Sequence, residues 1–167
     1  MKQKINIGVI GVGHLGKHHV NHLSKIEGVN LLGVYDINKK ASEKISKRYN
    51  TTPFKSLSEL IEDVDAVSIV TPTAEHRSIA GECIESGKHV FIEKPITETV
   101  EEADVLIDLA KENNVIIQVG HIERLNPALM PLSDYDLNPK FVEVQRLAPY
   151  MVRGSDVPVV LDLMIHD

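Results

Sequence analysis

The sequence predicts an α/β fold, with a doubly wound parallel sheet over residues 1–120 followed by the truncated start of an α+β second domain over residues 121–167. Three observations carry this reading. Short β-branched runs alternate with longer amphipathic ones as far as residue 120, the rhythm of repeated strand–helix–strand units. The short runs are almost continuously apolar, as strands covered on both faces must be. After Gly120 the rhythm breaks, and the remaining residues supply one strand pattern and one helix pattern, too little for a core of their own.

Taken in order, the strand candidates are residues 4–10, 30–36, 65–70, 88–93 and 115–120, with a short one over 51–54. The helix candidates lie between them. Residues 14–26 follow the first strand, and 39–49 follow the second. Ser56 can cap 57–62, and 74–86 runs into Gly87, a residue suited to the position just past a helix. Thr99 with Glu102 forms a capping box that opens 100–113. Beyond Gly120, "HIERLNPALMPL" reads as a short helix or turn and "YDLNPK" as a loop, while 140–147 alternates like a half-buried antiparallel strand. Ser155 or Asp156 can cap a last helix with Pro158 in its first turn.

Composition narrows the function classes. The net charge of −6 argues against a nucleic-acid partner, which needs a basic face to neutralise phosphates. A lone cysteine, Cys83, has no internal disulfide partner, which suits a reducing, cytoplasmic setting. No stretch approaches the ~20 apolar residues of a membrane span. The opening "MKQKINIGVIGVG" reads as a strand entering a turn, not as a secretory leader, because glycines interrupt it and no small-residue cleavage site comes after it.

The first strand leads into "GVGHLGKHH", which sets Gly11, Gly13 and Gly16 in G-x-G-x-x-G register, with His14 and Leu15 between the last two. Gly11 permits a tight turn, Gly13 lets a pyrophosphate approach the backbone, and Gly16 lets the helix pack closely on the strand. The helix N-terminus then presents N–H groups to the phosphates. Twenty residues after Gly16, Asp36 closes the second strand, where a carboxylate can accept the ribose hydroxyls of an adenosine. It would repel a 2′-phosphate, so NAD is favoured over NADP. His14, His18 and His22 recur every fourth residue, but no carboxylate or thiolate joins them, and no metal is expected there. Asp162 and His166 are also four apart and share a helix face, a common arrangement for a proton-transfer pair.

"VTPTAEH" (70–76), "EKP" (93–95), "GHIERLNP" (120–127) and the terminal "DLMIHD", added to the glycine turn, resemble the glucose–fructose oxidoreductase/inositol dehydrogenase/MocA family of NAD(P)-dependent sugar oxidoreductases. The wording of the last two is most similar to the branch that oxidises UDP-N-acetylglucosamine-type sugars at the 3-position. The resemblance implies a Rossmann domain whose cofactor cleft is lined by Thr71, Pro72, Thr73 and His76, with Glu93 at the nicotinamide ribose. It also implies that Lys94 is the active-site lysine and that Asp162 and His166 face it. A histidine can take the hydroxyl proton of a secondary alcohol, an aspartate can orient that ring, and a lysine can hydrogen-bond the developing alkoxide. His121 and Arg124 could touch substrate or cofactor, or hinge the domains. Family members continue into an open sheet that carries much of the substrate pocket and often oligomer contacts. A truncated second domain and a homo-oligomer are therefore expected, with a sugar or nucleotide sugar as the partner molecule and no membrane. A second reading is a non-catalytic dinucleotide-binding module, and a third is an NAD-using glycoside hydrolase.

Overall fold

A computed structural model of the protein describes residues 4–145 and 160. The chain divides into two compact units, Met1–Gly120 and His121–Asp167.

In the first unit six parallel strands form one sheet: β1 (Ile5–Ile10), β2 (Val29–Tyr35), β3 (Thr52–Pro53), β4 (Ala66–Ile69), β5 (His89–Ile92) and β6 (Ile117–Val119). Their order across the sheet is β3-β2-β1-β4-β5-β6. The chain winds outward one way from β1 and then the other way from β4, which makes the β1/β4 boundary a topological switch point.

The helices α1 (Gly16–Leu23), α2 (Lys39–Tyr49), α3 (Leu57–Asp63), α4 (His76–Glu85) and α5 (Val100–Glu112) cover both faces. Strand alternation sorts the core into two layers. Ile10, Val67, Ile69, Val90 and Ile92 point to one side, where Leu60 and Ile61 of α3, Ala80, Cys83 and Ile84 of α4, and Leu106 and Ala110 of α5 meet them. Val9 and Val34 point to the other, under Val20 of α1 and Ala41 and Ile45 of α2.

Local chemistry sets the helix starts. Asn38, Ser56 and Thr99 cap α2, α3 and α5, each accepting a backbone N–H from the residue three further on. Glu59 and Glu102 reach back to the N–H groups of Lys55 and Glu98, one residue before each cap, so α3 and α5 open on the same variant of the capping box. No side chain caps α1.

Several segments differ from expectation. The first helix is shorter than 14–26 at both ends, since Ile26 is half exposed and lies in the turn to β2, where Gly28 takes a positive φ. The fourth begins as a 3-10 turn, Thr73–Glu75, before α4 proper. Residues 140–145, expected as the first part of a strand, adopt none. Alternation alone does not make a strand; the backbone N–H and C=O groups need a neighbour to pair with. Residues 122–125 and 130–134 form the short helical turns expected of "HIERLNPALMPL", both of the 3-10 type. No helix among the described residues is long and apolar enough to cross a membrane.

Candidate nucleotide-binding site

Because every strand is parallel, the C-terminal ends of β2, β1, β4 and β5 share one edge of the sheet. Asp36, the glycine turn, Thr71 and Glu93 come after those four strands in that spatial order. At ~4.8 Å per strand the row spans roughly 14 Å.

The glycine turn is built around two close approaches and one opening. Gly11 has φ +86, and a Cβ there would stand 2.6 Å from the Val70 carbonyl oxygen. A Cβ on Gly16 would overlap the Gly11 carbonyl, so helix α1 can begin this close to β1 only with glycine there. Gly13 is the opposite case: it is exposed, and nothing lies within 4 Å of where its Cβ would be. The turn therefore leaves space directly over the Gly13 backbone, at the start of the helix that has no side-chain cap and no acidic residue in its first turn. His14 is exposed and Leu15, at the cap position, is 38% exposed.

Asp36 is tied to the same turn. Its Oδ2 accepts the Val12 N–H at 2.8 Å and its Oδ1 accepts the Asn38 N–H at 2.8 Å. Each oxygen keeps a further lone pair, so the carboxylate is oriented without being used up. Next to it Ile37 is 90% exposed, an apolar side chain in a turn where a polar one is usual.

On the other side of the switch point, Thr71 packs its methyl group against Gly11, and its buried hydroxyl has no hydrogen-bond partner. An orphaned buried hydroxyl costs about 1–3 kcal/mol. Pro72 is exposed and Thr73 half-buried, at the entry to the 3-10 turn. His76 is 1% exposed, so its ring supports the site from below and does not line its surface. Nδ1 lies 2.9 Å from the Pro95 carbonyl and Nε2 lies 3.0 Å from the Thr71 carbonyl, joining the loops after β4 and β5.

Glu93 is held from three sides. Its Oε1 is 3.1 Å from His19 Nε2, its Oε2 accepts the Lys94 N–H at 3.3 Å, and Gly120 leaves no room beside it, since a Cβ there would be 2.9 Å from Oε1. Burial pushes its carboxyl upward, but the hydrogen bond and charge of His19, with the N–H and charge of Lys94, outweigh burial and hold it below the usual carboxylate value. Lys94 comes next, joined to Pro95 by a cis peptide. Asp162 and His166 lie outside the described residues.

The described part of the sequence-predicted set thus gathers on one edge, apart from His76, which lies beneath it. Two residues beside this set escape a reading by motif. Ile37 is signalled only by being an apolar residue between Asp36 and Asn38. His19 hides in a histidine-rich run whose regular members, His14, His18 and His22, are all exposed. His14 and His18 meet edge to face at 6.0 Å, and no group of three or more potential metal ligands occurs among the described residues. The signal for His19 is its place three residues after Gly16 and beside Val20, both on the buried face of α1.

Comparison with known proteins agrees with this geometry. Residues 5–121 match the model of an oxidoreductase family with an NAD-binding Rossmann fold. The chain is 42% identical over 161 residues to the UDP-N-acetylglucosamine 3-dehydrogenase of Acidithiobacillus ferrooxidans, covering 96% of this chain and 51% of that protein. A solved structure of that enzyme superimposes with a TM-score of 0.90 at 40% identity, covering 98% of this chain and 52% of that one. The scyllo-inositol 2-dehydrogenase (NAD(+)) of Bacillus subtilis is 35% identical over 136 residues, 77% of this chain and 39% of its own length. GenD2, from gentamicin A biosynthesis and crystallised with NAD, superimposes with a TM-score of 0.77 at 26% identity, over 80% of this chain and 39% of that one. The chain spans about half the length of the first of these relatives. The chain belongs to the Gfo/Idh/MocA oxidoreductase family, whose defining domain is an NAD-binding Rossmann fold.

Proposed function

We propose that the chain binds NAD along the β2-β1-β4-β5 edge and serves an NAD-dependent oxidation of a secondary alcohol on a sugar or nucleotide sugar. One observation carries the reading most directly. Of three glycines in the turn, two are enclosed by backbone and the middle one opens onto empty space at an uncapped helix start.

The residues present fit NAD. Gly13 and the first turn of α1 would take the pyrophosphate, and Asp36 the adenosine ribose hydroxyls, with Ile37 against the adenine face. Thr71 would line the cleft beside Gly11, and Glu93 would meet the nicotinamide ribose. A carboxylate already fixed at Asp36 disfavours a 2′-phosphate and so favours NAD over NADP.

Bound NAD would supply the hydride acceptor. Lys94 would donate a hydrogen bond to the alcohol oxygen as negative charge develops on it. His166 would take the hydroxyl proton, with Asp162 orienting the imidazole and stabilising its cation. Residues 1–120 would form the dinucleotide-binding domain and 121–167 the start of the substrate domain. The likeness to a UDP-N-acetylglucosamine 3-dehydrogenase favours a nucleotide sugar as substrate, oxidised at C3, and a homo-oligomeric, cytoplasmic protein.

Calorimetric titration with NAD and NADP, followed by absorbance at the NADH band with UDP-N-acetylglucosamine and with inositol, tests this. NAD binding tighter than NADP, with NADH appearing on the nucleotide sugar, is the expected result. Absence of heat with either cofactor would overturn the cleft assignment. Binding with no NADH from either substrate would overturn the oxidoreductase assignment for this chain.

A further inference from the structure

On the α1 face of the sheet, Ser68, His19 and Glu93 form a hydrogen-bonded chain. His19 Nδ1 is 2.9 Å from Ser68 Oγ, and Nε2 is 3.1 Å from Glu93 Oε1. The order hydroxyl, imidazole, carboxylate resembles a nucleophilic triad, but Ser68 is 3% exposed in the middle of β4 and no substrate can reach it. The chain must do something other than attack.

We infer that His19 is a positioning residue that clamps the Glu93 carboxylate to helix α1, locking the Lys94 segment to the helix that begins at the glycine turn. This rests on the proposed NAD reading of the cleft and deepens it. His19 lies three residues after Gly16, so the helix start that would hold the pyrophosphate and the group that would meet the nicotinamide ribose share one rigid link. Hydrogen-bond counting gives the link its direction. An ionised carboxylate only accepts, so Nε2 carries the proton toward Glu93, and the Ser68 hydroxyl, which can donate or accept, partners Nδ1. The lowered carboxyl of Glu93 agrees with this polarity.

The surroundings leave the clamp little freedom. Ser68 points away from Val67 and Ile69, toward α1, where an apolar residue would leave Nδ1 without a partner. Phe91, the corresponding outward residue of β5, sits against the imidazole with ring centroids 5.7 Å apart. Gly120 crowds the same Glu93 Oε1, since a Cβ there would stand 2.9 Å from it. Across the loop, His76 anchors the Pro95 carbonyl, so Lys94 is flanked by two residues that each answer to a histidine.

The test compares His19→Leu with His19→Gln, whose amide can still donate to Glu93, using calorimetry of the 167-residue chain with NAD and with ADP. The expected result is that His19→Leu weakens NAD by about tenfold, the loss of one charge-assisted hydrogen bond, while ADP stays within about threefold. His19→Gln should restore most of the NAD affinity. Equal NAD affinity in His19→Leu and wild type would overturn the inference, as would parallel loss of NAD and ADP, or a glutamine variant no better than leucine. Failure of the wild type to bind NAD would overturn the cofactor reading itself and this role with it. Nitrogen-15 spectra of the wild-type histidines provide a check that needs no variant to fold: Nε2 of His19 should be protonated, and a bare Nε2 with the proton on Nδ1 alone would overturn the inference.

Discussion

Replacing Gly13 by alanine separates binding from folding at the glycine turn. The new methyl group meets no protein atom within 4 Å, and φ at Gly13 is not in the left-handed range. The unfolded chain loses conformational freedom, so stability should change by less than about 1 kcal/mol, in either direction. The same methyl occupies the space that a pyrophosphate would need, and NAD affinity should fall by at least about tenfold, or ~1.4 kcal/mol. Gly16→Ala is the control with the opposite profile. Its methyl would overlap the Gly11 carbonyl, forcing α1 away from the turn. Overpacking of this kind costs about 1–3 kcal/mol, and at roughly 2–4 °C per kcal/mol for a chain of this size the melting temperature should drop by several degrees. Differential scanning fluorimetry and calorimetry with NAD read both effects. A Gly13→Ala variant that binds NAD as wild type, or that melts as early as Gly16→Ala, would refute the assignment of that space to a phosphate.

Glu93 makes a pH prediction. Its folded value lies below the ordinary 4.5, so the stabilisation it contributes is complete above the unfolded value and is lost as pH falls through the folded one. Urea unfolding should show wild type losing stability relative to Glu93→Gln as pH drops below 4.5; parallel curves would remove the clamp on this carboxylate. Burial pushes the Cys83 thiol up to about 12, so it should resist Ellman's reagent at about pH 8 in the folded chain and react stoichiometrically in denaturant. Asp36→Ser should weaken NAD by about tenfold and narrow its advantage over NADP, because both the ribose acceptor and the anion opposing a 2′-phosphate are removed; unchanged discrimination would relieve Asp36 of that role.

The fold class, and the grouping of most candidate residues on one edge, were readable in the chain because they rest on local physics. Strand runs without polar interruption demand cover on both faces, capping residues announce helix starts, and G-x-G-x-x-G with Asp36 after it is a contiguous signal. The motifs after β4 and β5 sit at strand ends, so once the strands are parallel, Thr71, Glu93 and Lys94 must arrive on the edge that holds the glycine turn. What local pattern could not convey is which partner each polar side chain meets. His76 looked like a cleft residue and is buried beneath two loop carbonyls. Ser68 and His19 belong to no motif, and they meet only because the sheet brings β4 and β5 under the same turn of α1. The alternating pattern from Lys140 also formed no strand over 140–145, since a ladder needs a neighbour to pair with. Periodicity and turn chemistry act over a few residues and can be read in a line. Hydrogen bonds between residues as distant in sequence as His19 and Glu93 exist only where the folded sheet brings donor and acceptor to about 3 Å.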